Sequence, residues 1–270
     1  MKILMCGDVV GRTGREAVLH YIPLLRDLWA LDVVVVNGEN AAHGFGITQQ
    51  ISEEFYEVGV DVITTGNHIL DQKEILKTLN QNKRLLRPIN YPKSTPGHGV
   101  VSFEVQGKRV TVINAMARLF MDPLDDPFSG LDQLLASHRL GKTDQAILVD
   151  FHGEGTSEKM AMGHFLDGRV SAVVGTHTHV PTADTHILDN GTAYQTDLGM
   201  VGDYNSVVGM EKQAPIDRFT KKYSSERLAP ATGPATLCGM YLETDDKTGK
   251  SIKARPVRLG GCLQPTDVIE

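Results

Sequence analysis

Two histidines one residue apart follow a short apolar run in the second half of the sequence. The stretch Gly175–Pro181 reads GTHTHVP and comes directly after Val170–Val174. Side chains of an extended chain alternate between two faces, so we expect His177 and His179 to point to the same side. Two imidazoles on one face suit a metal ion, although a pH-sensitive patch or a polar loop would also contain them.

Polar side chains of related kinds follow other apolar runs of the chain. Carboxylates, amides and imidazoles come after runs that predict strands, usually beside a glycine that permits close backbone approach. Ligands of open α/β sheets bind beyond the carboxyl ends of the strands, so we expect these side chains to meet in one site. The candidate metal ligands are Asp8, Glu39, Asn40, Asn67, His152, His177 and His179.

These candidates offer oxygen and nitrogen donors and no thiolate, a combination that suits manganese, iron or zinc. They are too many for one four-coordinate zinc ion, whereas two metal ions that share a carboxylate would use them all. Metal pairs ~3.5–4 Å apart clamp the oxygens of an in-line phosphoryl displacement. The sequence therefore predicts a dinuclear site for phosphoryl chemistry. Taken singly, each residue would also be ordinary in a turn or a polar loop.

Two further histidines lie near these candidates. His68 follows Asn67 directly and is a candidate functional residue, although a histidine alone in a loop would also be ordinary. His43, in the segment AAHGFG, is a candidate substrate contact.

Strand-like and helix-like segments alternate along the chain and must position these residues. The sequence predicts strands at Lys2–Cys6, Val33–Val36, Asp61–Thr65, Ala146–Phe151, Val170–Val174, Ala193–Thr196, Leu237–Thr244 and Ser251–Val257, with a hairpin formed by Val100–Val105 and Arg109–Ile113. It predicts helices at Thr13–Ala30, Thr48–Val58, Asp71–Asn80, Gly130–His138 and Thr156–Asp167, with Thr13 and Thr48 as N-caps, and a loop at Gly209–Gly233.

This order indicates a mixed α/β fold with parallel strands early and antiparallel strands later. Periodicity alone leaves two arrangements open, either two packed sheets covered by helices or a single doubly wound sheet. No internal repeat or linker-like composition divides the sequence, so we expect one domain over residues 1–270.

Composition excludes several classes of function. The chain of 270 residues carries a net charge of −6, which offers no basic surface for DNA or RNA. Its apolar runs are much shorter than the ~20 residues of a membrane span, and the N-terminus lacks a signal-peptide layout, so we expect a cytoplasmic protein. The three cysteines are an odd number without a C-x-x-C pair, which argues against a disulfide framework, and Cys6 is expected to be a small buried thiol.

The spaced blocks GD, NGEN, GNH, HGE and GTHTH together resemble the signature of the metallophosphoesterase, or calcineurin-like phosphoesterase, superfamily. The sequences around these blocks are similar to those of the YmdB-type branch of that superfamily. They read MKILMCGDVVGRTGR, VVVNGENAAHGFGIT, ITTGNHILD, DFHGEGTSEK and VVGTHTHVPTAD, and the resemblance covers nearly the whole chain.

The resemblance implies a four-layer α/β/β/α sandwich with two packed mixed sheets and a dinuclear iron or manganese site, with zinc as an alternative. It implies hydrolysis of cyclic nucleotides, most of all 2′,3′-cyclic nucleoside monophosphates, by a metal-bridging hydroxide. Transferred residue by residue, Asp8, Asn40 and His179 would hold one metal ion. Asn67, His152 and His177 would hold the other, Glu39 would bridge them, and His68 would donate a proton to the leaving oxygen.

Two positions depart from the broad superfamily. The usual first motif is Asp-x-His, but Asp8 is followed by Val9 and Val10, and Glu39 stands where an aspartate usually bridges the metal ions. Both departures match the YmdB-type branch, in which Asn40 would fill the vacant ligand position. Substrate and metal preferences of protein phosphatases and nucleotidases therefore do not transfer directly.

Other functions remain open at the level of sequence. The same metal ions would support a broad-specificity phosphatase, and a metal- or nucleotide-binding regulatory protein would use such a site as a sensor, with or without assembly into a homo-oligomer. A dinucleotide-binding oxidoreductase is disfavoured because Gly7, Gly11 and Gly14 are spaced G-x-x-x-G-x-x-G rather than G-x-G-x-x-G.

Overall fold

The computed structural model describes residues 1–223 and 226–266. Its strands are β1 (Lys2–Val10), β2 (Val33–Asn40), β3 (Val62–Thr64), β4 (Val100–Val105), β5 (Lys108–Met116), β6 (Ala146–His152), β7 (Ala172–Thr176), β8 (His186–Ile187), β9 (Ala193–Gln195), β10 (Met200–Asp203), β11 (Ala235–Thr244) and β12 (Ser251–Gly260). Its helices are α1 (Gly11–Trp29), α2 (Gln49–Glu57), α3 (Pro127–Leu135), α4 (Thr156–Leu166) and α5 (Gln213–Lys221), with a 3-10 helix at Lys73–Lys77.

The strands form two six-stranded sheets. The first sheet has the order β12-β11-β10-β1-β2-β3, and the second has the order β4-β5-β6-β7-β9-β8. In the first sheet, β1 is parallel to β2 and β10, while β11 and β12 are antiparallel. In the second sheet, β6 is parallel to β5 and β7, while β4 is antiparallel to β5. Both sheets are therefore mixed, as the resemblance implied.

Alternating side chains of β2 explain how the layers stack. Val33 and Val35 pack between the two sheets, whereas Val34 and Val36 pack with residues of α1 and α2 on the outer face of the first sheet. On the other side, Val149 of β6 packs with residues of α3 and α4. A strand that is buried on both faces has to be apolar throughout, which accounts for the uninterrupted valines. The four-layer α/β/β/α arrangement is confirmed, and the single doubly wound sheet is excluded.

The predicted hairpin is confirmed. Val100–Val105 pairs with the start of β5, and the turn between them places Gln106 and Gly107 at φ values of 52° and 74°. Two successive residues with positive φ are typical of the tight turns that match the twist of hairpin strands.

Two predicted helix starts are wrong. The α1 helix begins at Gly11, and Val10 at its N-cap makes no side-chain capping bond, so Thr13 lies inside the first turn. The α3 helix begins at Pro127 rather than Gly130, because the Asp126 side chain accepts bonds from the amides of Phe128 and Ser129. An aspartate followed by proline is a strong helix start, and it outweighed the apolar periodicity. The Thr48 cap is confirmed by its bond from the amide of Ile51.

Three other predictions needed correction. The segment Asp71–Asn80 contains only the 3-10 helix Lys73–Lys77, flanked by turns. The predicted loop Gly209–Gly233 contains α5, of which only Ala214 and Pro215 are buried. The short strands β8 and β10 were not predicted, since two to four residues are too few to show the alternation of apolar and polar side chains that identifies a strand.

Cys6 is buried, as predicted, and burial raises the pKa of its thiol well above the usual range. Over residues 1–223 and 226–266, no helix is both long and apolar enough to cross a lipid bilayer.

Candidate metal centre

The candidate ligands lie where the carboxyl ends of strands from both sheets meet. Asp8 belongs to β1, Glu39 and Asn40 end β2, and His152 ends β6, so these residues lie within strands rather than after them as predicted. Only the ligands beyond β3 and β7 follow their strands. Both sheets therefore contribute to one site.

One nitrogen of His152 is the centre of a tight cluster. Its Nε2 atom lies 3.1 Å from Glu39 Oε1, 3.1 Å from Asn67 Oδ1 and 3.1 Å from His177 Nδ1. When metal–ligand bonds are about 2.0–2.2 Å long, donor atoms around one ion lie about 3 Å apart. The spacing of these four atoms therefore suits a single metal ion.

A buried hydrogen-bond chain determines which nitrogen of His152 carries its proton. The Thr176 hydroxyl donates to Asp150 Oδ1 at 2.7 Å, so its oxygen can only accept from His152 Nδ1, which lies 2.9 Å away. The other nitrogen, Nε2, faces the oxygens of Glu39 and Asn67, and its lone pair is available to a metal ion when no second proton occupies it. Either a second proton on Nε2 or a metal ion must lie between these atoms, and with a metal ion the arrangement is the usual one of a ligating histidine.

The electrostatics of the cluster favour a positive charge. Burial alone would lower the pKa of His152, but the carboxylates of Glu39, Asp8 and Asp150 raise it to about 9. Burial opposes ionisation of Glu39, yet its histidine neighbours lower its pKa to about 2. The pKa of His177 is lowered to about 3 by burial and by the charge on His152. Glu39, His152 and His177 form a group that could hold a metal ion.

Asp8 carries an unpaired buried oxygen at the same place. Its Oδ2 atom accepts a bond from the His177 amide at 3.0 Å, while Oδ1 is buried and has no hydrogen-bond partner among the described residues. The ring nitrogen Nδ1 of His152 lies 3.7 Å from Oδ1, beyond hydrogen-bond distance. Burial raises the pKa of Asp8. A buried unpaired acceptor costs free energy, and a bound cation would remove that cost.

Asn40 and His179 form a second contact between candidate ligands. The Asn40 amide nitrogen donates to the Gly44 carbonyl at 3.0 Å, and His179 Nδ1 donates to the Val208 carbonyl at 2.7 Å. Their remaining atoms, Asn40 Oδ1 and His179 Nε2, face each other at 3.2 Å. Both of these atoms are acceptors once the donors are used elsewhere. A cation between these two atoms would satisfy both of them.

The two histidines of GTHTHVP reach the site by a route that differs from the prediction. Strand β7 ends at Thr176, and His177 and His179 have φ values of 104° and 63°. The chain is therefore not extended here, and the same-face argument is wrong. The two side chains converge because the backbone turns twice in a conformation that side chains rarely adopt.

A buried ion pair holds this strained turn. The Lys159 ammonium group donates to the Thr176 carbonyl at 2.8 Å and to Asp197 Oδ2 at 2.7 Å. Asp197 also accepts a bond from the Thr178 amide at 3.0 Å. Both charged side chains are 1% exposed. Backbone strain of this kind persists only where surrounding contacts over-determine it, and this pair supplies them.

His68 lies at the edge of the cluster, on the wall of a pocket that contains Glu39, Asn40, His177 and His179. Its amide donates to Glu39 Oε2 at 3.3 Å, and its Nδ1 atom lies 2.8 Å from Asp71 Oδ2. A carboxylate can only accept, so Nδ1 carries a proton and Nε2 is the nitrogen left for other partners. His43 is exposed, and its predicted contact with a substrate stays a prediction.

Gly66 explains how the chain passes so close to the cluster. A Cβ atom at this position would lie 2.2 Å from His152 Nε2 and 2.4 Å from Glu39 Oε2. Any side chain would therefore occupy the space between the candidate ligands.

Comparison with known proteins agrees with this architecture. Residues 4–257 match the family described as YmdB-like protein. The chain belongs to the YmdB-like family. It is 47% identical to the 2′,3′-cyclic-nucleotide 2′-phosphodiesterase of Bacillus subtilis strain 168 over 253 residues, which are 94% of this chain and 95% of that protein.

Two crystal structures extend the likeness of this YmdB-like chain. A hypothetical protein from Thermus thermophilus is 41% identical with a TM-score of 0.90, over 97% of this chain and 100% of that one. A novel phosphatase from Mycoplasma pneumoniae is 35% identical with a TM-score of 0.90, over 96% of this chain and 93% of that one. The family resemblance expected from the sequence motifs is confirmed.

Several residues of the YmdB-like site were not identified from sequence. Asp150 is a charged residue among the apolar residues of a predicted buried strand, and this exception could have identified it as a functional residue. Asp71 was treated as the start of a helix, and Lys159 was only one residue within the predicted helix Thr156–Asp167. Asp197 follows a strand-like run as the other candidates do, but its partner Lys159 lies 38 residues away.

Proposed function

We propose that this protein is a metal-dependent phosphodiesterase that hydrolyses 2′,3′-cyclic nucleotides with two metal ions per chain. The observation that carries the proposal is that an imidazole nitrogen faces a side-chain oxygen, at a distance that suits two ligands of one cation, in two places. His152 Nε2 lies 3.1 Å from Glu39 Oε1, and His179 Nε2 lies 3.2 Å from Asn40 Oδ1. Two such contacts in one pocket suit two cations. The name of the Bacillus relative supports the substrate.

The donor atoms divide into two sets that share Glu39. Asn67, His152 and His177 would hold one ion. Asp8, Asn40 and His179 would hold the other, with Glu39 between them. The unpaired Oδ1 atom of Asp8 supports its place in this set. Oxygen and imidazole donors without thiolate suit iron or manganese, and zinc is an acceptable third metal.

When bound, such ions neutralise the charge of a phosphodiester and lower the pKa of a shared water, which makes that water a nucleophile at neutral pH. The protein contributes the positions of the donors, which the chain from Asp150 through Thr176 to His152 holds in one tautomer. It also excludes bulk water, since Asp8, Glu39 and His152 are at most 1% exposed.

His68 would donate a proton to the leaving ribose oxygen. Asp71 binds Nδ1 at 2.8 Å, so Nε2 is the nitrogen that can deliver a proton into the pocket. Its amide bond to Glu39 Oε2 fixes the distance between this imidazole and the cluster. General acid assistance of this kind contributes roughly 10²–10⁴-fold to the rate.

The test combines elemental analysis of the purified protein with hydrolysis of cyclic and linear phosphodiesters, with and without Mn²⁺. We expect two metal ions per chain and metal-stimulated hydrolysis of 2′,3′-cyclic nucleotides. Less than one ion per chain without metal-stimulated hydrolysis would refute the proposal. Faster turnover of a phosphopeptide would favour a broad phosphatase, and nucleotide binding without turnover would favour a regulatory protein.

The role of His68 has a separate test. We expect His68→Ala to retain both metal ions and to lose most activity on esters with poor leaving groups, while esters with good leaving groups are affected much less. Full activity of the metal-replete variant on a poor leaving group would show that the acid role is wrong.

A further inference from the structure

The pocket above the cluster is lined by two chemically different sets of side chains. Its volume is about 390 Å³, within the size of small-molecule sites. The candidate ligands Glu39, Asn40, His177 and His179 line it together with His68. The apolar side chains of Phe45, Val208, Met210 and Leu228 also belong to its lining. The reaction at phosphorus needs no apolar surface, so this apolar part has another use.

The segment that carries Phe45 is fixed in place. Asn40 donates from its amide group to the Gly44 carbonyl at 3.0 Å, and Gln72 donates to the Phe45 carbonyl at 2.7 Å. The Phe45 ring meets the His68 ring edge to face, with centroids 5.1 Å apart. An aromatic face therefore lies directly beside the proposed proton donor.

Val208 and Met210 belong to a second segment, which is a tight turn. Val207 and Met210 exchange two backbone hydrogen bonds of 3.0 and 2.9 Å. Val208 at its tip is 49% exposed with a φ of 48°, and its carbonyl accepts from His179 Nδ1. The apolar part is thus attached to Asn40 through one segment and to His179 through the other. These are the two residues whose acceptor atoms face each other.

We propose that Phe45, Val208, Met210 and Leu228 bind the base of a nucleoside phosphodiester, with the base against the Phe45 ring. This inference rests on the proposed function and adds the part of the substrate that the metal ligands do not contact. Because the four side chains offer no conventional hydrogen-bond donor, the surface recognises the flat face that every base has. It therefore discriminates weakly between bases and binds purines better, since they cover more apolar area.

The test compares substrates with and without a base. Phe45→Ala is assayed on adenosine 2′,3′-cyclic phosphate and on methyl riboside 2′,3′-cyclic phosphate, which lacks the base, both with Mn²⁺. Loss of one stacking contact weakens binding about tenfold, so we expect KM for the nucleotide to rise about tenfold while kcat stays within about twofold. The base-free substrate should show no such rise. Phe219→Ala removes an 83% exposed phenylalanine of α5 and serves as the matched control.

An equal loss on both substrates would mean that Phe45 acts by supporting His68, and an unchanged KM on both would mean that the base lies elsewhere. Either result overturns the inference. Calorimetric binding of adenosine 3′-monophosphate and ribose 3-phosphate to the metal-loaded protein gives a readout without turnover. If the unmodified protein hydrolyses neither cyclic substrate, the proposed function fails. The base subsite is then judged by whether Phe45→Ala weakens only the adenosine compound.

Discussion

Replacing Thr176 by valine tests whether the buried chain from Asp150 to His152 prepares the site for a metal ion. The change keeps the shape of a side chain inside β7 and removes only its hydroxyl group. His152 Nδ1 then loses its acceptor at 2.9 Å, and Asp150 Oδ1 loses its donor at 2.7 Å. Without that acceptor, the proton of His152 is free to occupy Nε2, the nitrogen that a metal ion would need.

The expected loss in the free energy of unfolding follows from the groups that Thr176→Val leaves without hydrogen-bond partners. Each buried polar group that loses its partner costs about 1–3 kcal/mol. Asp150 Oδ2 keeps its bonds from Thr64 and Asn37, so the penalty is below the full sum for two groups. We expect the metal-free variant to lose about 2–4 kcal/mol of stability to urea. We also expect Mn²⁺ affinity to fall about 10–100-fold, the usual effect of removing a group that orients a ligand.

Thr111→Val is the matched control for this experiment. Thr111 is also a buried strand threonine whose hydroxyl donates to a buried aspartate, Asp144, at 2.6 Å, but it lies away from the cluster. Both variants should lose stability, and only Thr176→Val should lose Mn²⁺ affinity by titration calorimetry. If Thr176→Val binds Mn²⁺ as tightly as the unmodified protein does, the reasoning about the His152 tautomer is refuted.

Two further outcomes are expected. Gly66→Ala should abolish Mn²⁺ binding, because the added Cβ atom would lie 2.2 Å from His152 Nε2. Gly130→Ala on α3 is the control and should retain binding, since its Cβ atom would meet no atom closer than 3.6 Å. Mn²⁺ binding by Gly66→Ala would contradict this reasoning. In the metal-free protein the folded pKa of His177 is lowered to about 3 from 6.5, so its contribution to stability is complete above pH 6.5 and is lost as the pH falls towards 3. The midpoint of thermal unfolding should therefore fall from pH 7 to pH 5, and less so in His177→Asn; an equal fall in both proteins would exclude this origin.

The sequence predicted the site better than the path of the chain through it. Donor chemistry is a property of residue type, so Glu39, Asn67 and His152 could be identified without knowledge of the backbone. The convergence of His177 and His179 was attributed to strand alternation, but it comes from two residues with positive φ. That conformation depends on Lys159 and Asp197, which are distant in the sequence and meet only in the folded protein.

Secondary structure was likewise predicted correctly where the signal is local and incorrectly where tertiary contacts determine the backbone. The valines of β2 predicted a strand correctly because burial on both faces leaves a strong local signal. Asp71–Asn80 has helical composition, yet it forms only the 3-10 helix Lys73–Lys77, and the side chains at its two ends bind other residues. Asp71 binds His68, and the Asn80 side chain accepts from the Gly97 amide. Tertiary contacts of this kind override local propensity, and a single sequence does not reveal them.

The division of the candidate ligands between two sheets has a consequence for how the protein matures. Asp8 and the His177 amide that it binds are 169 residues apart, and Asn67 and His152 are 85 residues apart. During synthesis the first sheet's donors emerge early, but the donors that follow or end β6 and β7 join them only after those strands have been made and have docked. Under the proposed function, metal capture would therefore be a late event that depends on the docking of both sheets. Once captured, an ion ties the two sheets together and opposes their separation, so metal supply would set the lifetime of the folded protein as well as its activity.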